Sequence, residues 1–311
     1  MRNIFRKLFK SNISLIDTMP PLKGRVLAKQ PLNKKTWFGV GGCAEVYVEP
    51  ADTDDLSRLL QFMPHVPLTI LGGGSNVLIR DGGIPGVTVH LGKEFHNIKF
   101  DDEIVICDGG VSLMELARAA AKQGVSGFEF LSGIPGTIGG AVRMNAGAHG
   151  KCFDDILLSL TVVTREGEIR EIDPKETEIF GYRMCYLPSD WIFVRAVLRG
   201  NKGNTTDIMA KMLEYKKQRQ NNQPTGVKTA GSTFKNPQGL QAWSLIDKAG
   251  FRGYRRGGAV VSDKHTNFLI NLGGATAKDI ESLGEEIREK VWNDFGVELE
   301  WEIKKMGIEK E

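Results

Sequence analysis

Residues 132–150, SGIPGTIGGAVRMNAGAHG, constrain this chain more than any other stretch. Glycines 133, 136, 139, 140, 147 and 150 alternate with Ile134, Ile138, Val142 and Met144. A segment so poor in side chains lets backbone N–H groups approach something bulky and anionic. A second such loop, LGGGSN at residues 71–76, follows the apolar run VPLTIL. Either cluster alone reads as a turn. Two of them, each beside an apolar strand pattern, point to one extended phosphate-bearing ligand held between two elements. Neither matches G-x-G-x-x-G opening a long helix or G-x-x-x-x-G-K-[ST], which argues against a Rossmann site or a P-loop NTPase.

The length of 311 residues suffices for two or three domains with a substantial core. A net charge of +3 without a basic stripe does not point to nucleic acid as the main partner. Cys43, Cys107, Cys152 and Cys185 form no C-x-x-C pair, so reduced thiols and a cytoplasmic protein are expected. His65, His90, His96, His149 and His265 match no ligand pattern, and no metal site is expected. No run reaches transmembrane length. The basic start MRNIFRKLFK suggests a tail, a docking arm or a weak amphipathic anchor, not a secretory signal.

Residues 1–35 read as an extension rich in Pro and Lys, and a compact α/β unit follows. AEVYVEP, VPLTIL, GVTVHL and EIVICDGG read as strands. DTDDLSRLLQFM reads as a helix capped by Asp52 or Thr53, with Leu56, Leu59 and Leu60 as its apolar stripe. VSLMELARAAAKQG predicts a second helix, with Ser112 and Glu115 as a capping box and Gly124 as its stop. ILLSLTVVTREGEIREID predicts a hairpin turning at Glu166-Gly167, and WIFVRAVLRG one more strand. The pattern breaks near residues 200–205. Beyond lie a polar helix, IMAKMLEYKKQRQ, the loop GSTFKNP and the short helix AWSLIDKAG. GAVVSDKHTNFLINLGG reads as strands around a turn. A helix at about 276–295 carries Ile280, Leu283, Ile287 and Val291 on one face. VELEWEI reads as a last strand, with Glu298, Glu300 and Glu302 sharing one face.

Four polar patches could carry chemistry: Tyr182-Arg183 in GYR, Ser232 with Lys235 and Asn236 in GSTFKNP, His265 in SDKHTNF, and the three glutamates. Each has an ordinary reading as surface charge, turn former or solvated face. Ser232 lies in no G-x-S-x-G elbow, so its expected task is proton donation, with Lys235 as a neighbour that lowers the cost.

The ordered set KTWFGVGG, LGGGSN, FLSGIPGTIGGAVRMNAGAHG, GYR, AGSTFKNP, GGAVVSDKHTNF and LEWEI resembles the UDP-N-acetylenolpyruvoylglucosamine reductase family, over about residues 32–307. The resemblance implies an α/β and α+β molecule. It implies a vanillyl-alcohol-oxidase-type (PCMH) FAD-binding fold of two α/β subdomains at 36–202 and a C-terminal α+β substrate domain at 203–311, after an N-terminal extension at 1–35. It implies FAD as cofactor, lined by Gly72, Gly73, Gly74, Ser75, Asn76, Gly133, Ile134, Pro135, Gly136, Thr137, Ile138, Gly139, Gly140, Asn145 and Gly147. NADPH and the enolpyruvyl ether of UDP-N-acetylglucosamine are the implied partners. Arg183, Ser232 and Glu302 become the catalytic three. Tyr182, Arg219, Lys235, Asn236 and His265 become substrate-binding. With no room between Arg183 and Trp191 for the long tyrosine-bearing insertion of one branch, the chain resembles the branch that lacks it. Cys43, Cys185 and His149 depart from the family pattern. A flavin oxidase of the same fold and a non-catalytic nucleotide-sugar binder are the competing readings. The oligomeric state is not legible, a monomer being the simplest expectation.

Overall fold

The computed structural model describes residues 14–176 and 178–310. The basic start of the chain lies outside them.

Two sheets build the first part. One runs in the order Arg25–Pro31, Cys43–Glu49, Ile84–Val89, Leu68–Ile70. Its first pair is antiparallel and the others are parallel. The strand Arg25–Pro31 thus draws part of the expected extension into the sheet. The helix Thr53–Phe62 buries Leu56, Leu59 and Leu60, as its stripe requires, and Asp52 caps it by accepting from the Asp55 N–H. These leucines pack against Val46, Val87 and Val89 of the first sheet and Val163 and Val194 of the second.

The second sheet is antiparallel throughout, in the order Ile169–Ile172, Leu157–Val163, Ile192–Arg199, Ile104–Asp108, Ile98–Asp101. The hairpin turns at the expected place, with Gly167 at a φ of 79°. The helix Leu113–Lys122 buries Leu113, Leu116, Ala117, Ala120 and Ala121. Ser112 is its N-cap, but no side-chain cap bond forms, so the expected capping box is absent. The expected polar helix is Thr205–Asn222, and it lays Met212 and Tyr215 against the same core as this unit.

The C-terminal part packs the helices Ala242–Lys248 and Ala277–Phe295 on a three-stranded sheet, Arg255–Arg256, Ala259–Val261 and Leu269–Asn271. A capping box of Thr276 and Asp279 starts the long helix, and Gly296 in the left-handed region ends it.

VELEWEI is not a regular strand. Its residues pair only at the isolated bridge Trp301–Phe234, and the last strand is Lys304–Met306. That strand returns to the first part and pairs in parallel with Val77–Ile79. The clean alternation of VELEWEI reflects a half-buried extended segment, and such burial imposes period two without a ladder. Among the described residues no helix is long and apolar enough to cross a membrane.

Gly284 sits inside the long helix under Trp301, where an added Cβ would overlap the indole ring. That ring is fixed by a 2.8 Å bond from Nε1 to Glu285 and by Phe234 at 5.1 Å. Gly→Ala normally stabilises a helix interior by about 0.5–1 kcal/mol. Here overpacking reverses the sign, and Gly284→Ala is expected to destabilise by about 1–3 kcal/mol. Urea unfolding checks this; a stabilised variant would contradict it.

Candidate active site

The first glycine loop begins where a parallel ladder stops. The Leu71 N–H bonds the Val89 carbonyl at 2.9 Å, and then the chain leaves the sheet. Gly74 sits at a φ of 65° with its α-carbon against the Lys35 backbone, so only glycine fits. The KTWFGVGG segment wraps this loop, with the Trp37 N–H on the Gly74 carbonyl at 2.9 Å.

The second cluster is not one long loop. It contains the short helix Ile138–Met144, capped by the Thr137 hydroxyl. The Ile138 and Gly139 N–H groups bond the Val111 and Gly109 carbonyls, at 2.9 and 2.8 Å. These two residues therefore serve the fold with their donors. Gly140 donates to the Thr137 hydroxyl.

The two loops meet. A Cβ on Gly73 would stand 3.0 Å from the Gly136 α-carbon, and one on Gly72 would stand 2.9 Å from Thr137 Oγ1. The Ser75 hydroxyl donates to the Pro135 carbonyl at 2.9 Å. The N–H groups of Gly72, Gly73, Ser75, Gly136 and Thr137 find no acceptor among the described residues. Unpaired donors gathered around apposed glycines form a cradle suited to a diphosphate. Added β-carbons would fill it, so the residues present fit FAD.

Arg183 sits at the tip of a hairpin, Phe180–Gly181 against Met184–Cys185. Its φ of 56° is unusual for a side-chain-bearing residue and costs about 1 kcal/mol or more. Its guanidinium donates to the Gly147 carbonyl at 2.9 Å and lies 5.4 Å from the Tyr182 ring centroid. Asn145 anchors the hairpin from the glycine segment, its amide donating to the Gly181 carbonyl at 3.2 Å. Arg143 holds the far end, donating to the Leu187, Pro188 and Trp191 carbonyls.

The other half of the site comes from the C-terminal part. Segment 232–235 lies between two neighbours. Ser232 bridges Phe268, and the Thr233 N–H bonds the Asn267 carbonyl at 2.7 Å. On the other side the Glu302 N–H bonds the Thr233 carbonyl, and the Lys235 N–H bonds the Glu300 carbonyl, both at 2.9 Å. The buried Asn267 amide accepts from the Phe234 N–H and donates to the Phe234 carbonyl. Asn76 of the first glycine loop reaches across and donates to the Glu302 carbonyl at 3.1 Å.

Thus Arg183 and Glu302 meet: Nε lies 3.3 Å from Oε1, with side chains 24% and 18% exposed. Glu298 and Glu300 are exposed, so burial separates Glu302 from the two glutamates that share its sequence pattern. Burial raises the Glu302 carboxyl above its ordinary range, and the cations Arg183 and Lys235 offset this only in part. The Lys235 ammonium bonds Glu300 at 3.0 Å.

The remaining candidates lie around this centre. Arg219, on Thr205–Asn222, donates to the Gly133 carbonyl at the glycine segment. Asn236 accepts from the Ala242 N–H at 3.0 Å and so starts the short helix Ala242–Lys248. His265 packs between Trp243 and Phe268, with a buried Nδ1 that has no partner among the described residues. Arg143 and Asn267 escape sequence reading. Their partners are backbone carbonyls and amides, which leave no residue pattern.

Two family models match the chain: "FAD binding domain" over residues 44–173, and "UDP-N-acetylenolpyruvoylglucosamine reductase, C-terminal domain" over residues 223–306. A curated UDP-N-acetylenolpyruvoylglucosamine reductase of Parvibaculum lavamentivorans is 47% identical over 97% of this chain and 97% of its own. That of Methylorubrum extorquens strain PA1 is 50% identical over 95% of this chain and 97% of its own. The crystal structure of UDP-N-acetylenolpyruvylglucosamine reductase from Thermus caldophilus superposes with a TM-score of 0.79 at 34% identity, covering 92% of this chain and all of that one. Apposed glycine loops, an FAD-binding domain match and near full-length similarity agree, and the chain belongs to the UDP-N-acetylenolpyruvoylglucosamine reductase family.

Proposed function

We propose that the chain reduces the enolpyruvyl ether of UDP-N-acetylglucosamine to UDP-N-acetylmuramate, a step of peptidoglycan precursor synthesis, with NADPH as electron source. The observation that carries this reading is the meeting of Arg183 and Glu302 beside a pinned Ser232 segment, next to the cradle for FAD. Every group invoked comes from one chain, so a monomer suffices.

The N–H groups of Gly72, Gly73, Ser75, Gly136 and Thr137 would hold FAD, which would supply, as hydride for the terminal alkene carbon of the substrate, the electrons taken from NADPH. The chain's residues manage the charge and the proton. Negative charge develops on the substrate carboxylate as the hydride adds. Arg183 holds that carboxylate with an always-charged planar group, and its left-handed backbone and the Gly147 carbonyl fix its direction. Glu302 in its neutral form donates a second hydrogen bond to the same group, and burial favours that form. Ser232 delivers the proton to the adjacent carbon, and Lys235 lowers the cost of the alkoxide left behind. Tyr182, Arg219, Asn236 and His265 hold the UDP-sugar around this centre. An oxidase or a pure binder of the same fold has no need of Arg183 meeting Glu302 beside the Ser232 segment. Anaerobic addition of NADPH, then of enolpyruvyl substrate, tests the reading: the flavin colour should bleach and then recover.

The diphosphate cradle demands glycine at 73 and 136. Gly73→Val or Gly136→Val should purify with little FAD; full flavin content in both would refute the cradle. Ser232→Ala should leave flavin reduction by NADPH near the wild-type rate and slow reoxidation by substrate about 100-fold or more. Ser232→Cys should keep part of the activity. Slowing confined to NADPH oxidation would give Ser232 another role.

Arg183→Ala should cost about 2–4 kcal/mol of transition-state stabilisation in single-turnover reoxidation. Glu302→Gln should be milder than Glu302→Ala, since the amide still donates, and Glu298→Gln or Glu300→Gln should do little. Because the Glu302 pKa is raised, its donor is present at low pH and lost as pH rises through that value. Wild-type reoxidation should therefore slow along this limb, and Glu302→Gln should lack it. Equal losses from all three glutamates would overturn the assignment.

A further inference from the structure

His90 has no part in the reaction above, yet it holds the strand end from which the first glycine loop departs. The strand Leu68–Ile70 pairs with Ile84–Val89, and the ladder's last bond is from the Leu71 N–H to the Val89 carbonyl. One residue on, the His90 backbone N–H turns the other way and bonds Val48 at 2.9 Å. The main chain thus offers no donor to the Leu71 carbonyl. The His90 ring takes that place, with Nδ1 at 2.8 Å from it.

A carbonyl oxygen only accepts, so Nδ1 carries the hydrogen. The ring is half-buried, and burial lowers its pKa and so favours the neutral ring, opposed only in part by the bond to Leu71. Tyr47 stacks on it at 6.0 Å, and the tyrosine hydroxyl donates to Glu49, which Lys35 also bonds. These contacts hold the ring plane. The described residues contain no cis peptide bond. In a trans peptide the C=O and N–H point in opposite directions. Fixing the Leu71 carbonyl on His90 therefore turns the Gly72 N–H to the side away from the ring.

We infer that His90 is a positioning residue for the FAD diphosphate: its Nδ1–H anchors the Leu71 carbonyl and so aims the Gly72 N–H at the cofactor's phosphate oxygens. This rests on the cradle reading above.

The test is the rate at which holoprotein releases FAD, followed by the rise in flavin fluorescence on dilution. An asparagine amide reproduces Nδ1–H, whereas a glutamine amide stands where Nε2 would be. His90→Asn should release FAD within about twofold of wild type. His90→Gln and His90→Phe should release it about fivefold faster or more, the scale of one lost hydrogen bond. A ring needed only for packing against Tyr47 gives the reverse order, because Gln and Phe fill the space better than Asn. That order, or equal rates in all three, overturns the inference. The unaltered holoprotein offers a second check: ¹⁵N-histidine spectra should show His90 as the Nδ1–H tautomer, and the Nε2–H tautomer would refute the anchor. Gly73→Val separates the two levels. If it and Gly136→Val both keep FAD, the cradle itself is wrong; if they lose FAD while the His90 order is reversed, only the role of His90 fails.

Discussion

The return of the C-terminal segment to the first part of the chain is the contact on which the site depends. Lys304–Met306 pairs with Val77–Ile79, immediately after the first glycine loop, and Asn76 bonds the Glu302 carbonyl. These backbone bonds set the register of residues 300–303 against both the Ser232 segment and the FAD cradle. A slip of one residue would turn Glu302 to the opposite side of an extended chain. The apolar residues Phe38, Val40 and Leu78 share the C-terminal core, so the interface is continuous with packing rather than a hinge between independent bodies.

Polar residues in low-exposure positions do most of the orienting. Asn145 ties the Arg183 hairpin to the end of the glycine segment, and Asn267 ties both backbone groups of Phe234. Such amides must be matched on both faces, because a buried unpaired donor or acceptor costs about 1–3 kcal/mol. That requirement gives a single geometry where an apolar contact would tolerate several. The strained backbone of Arg183 fits the same scheme: its hairpin, the Gly147 carbonyl and Glu302 together hold a conformation that the residue alone would leave.

The electrostatics of the site follow from unequal burial. Three glutamates follow one another at alternate positions, but only Glu302 leaves water. Its neighbours Arg183 and Lys235 oppose the rise in its pKa without cancelling it. The result is a carboxyl of raised pKa beside a permanent cation, the pairing on which the proposed stabilisation of an anionic transition state rests.

Much of this was legible in the residues themselves. Apolar stripes marked the helices Thr53–Phe62 and Ala277–Phe295, Asp52 marked the start of the first, and the glycine density of two segments marked backbone that other groups can approach closely. These are local properties: periodicity, propensity and steric freedom act within a few residues. The alternation of VELEWEI signalled burial but not pairing, and Ser112 had the residue type of a capping box without the bonds. That Gly73 touches Gly136, that Glu302 rather than Glu300 meets Arg183, and that His90 completes the ladder at Leu71 were decided only by the fold. Each depends on backbone groups brought together from distant parts of the chain, and a carbonyl or amide has the same identity at every position in the sequence.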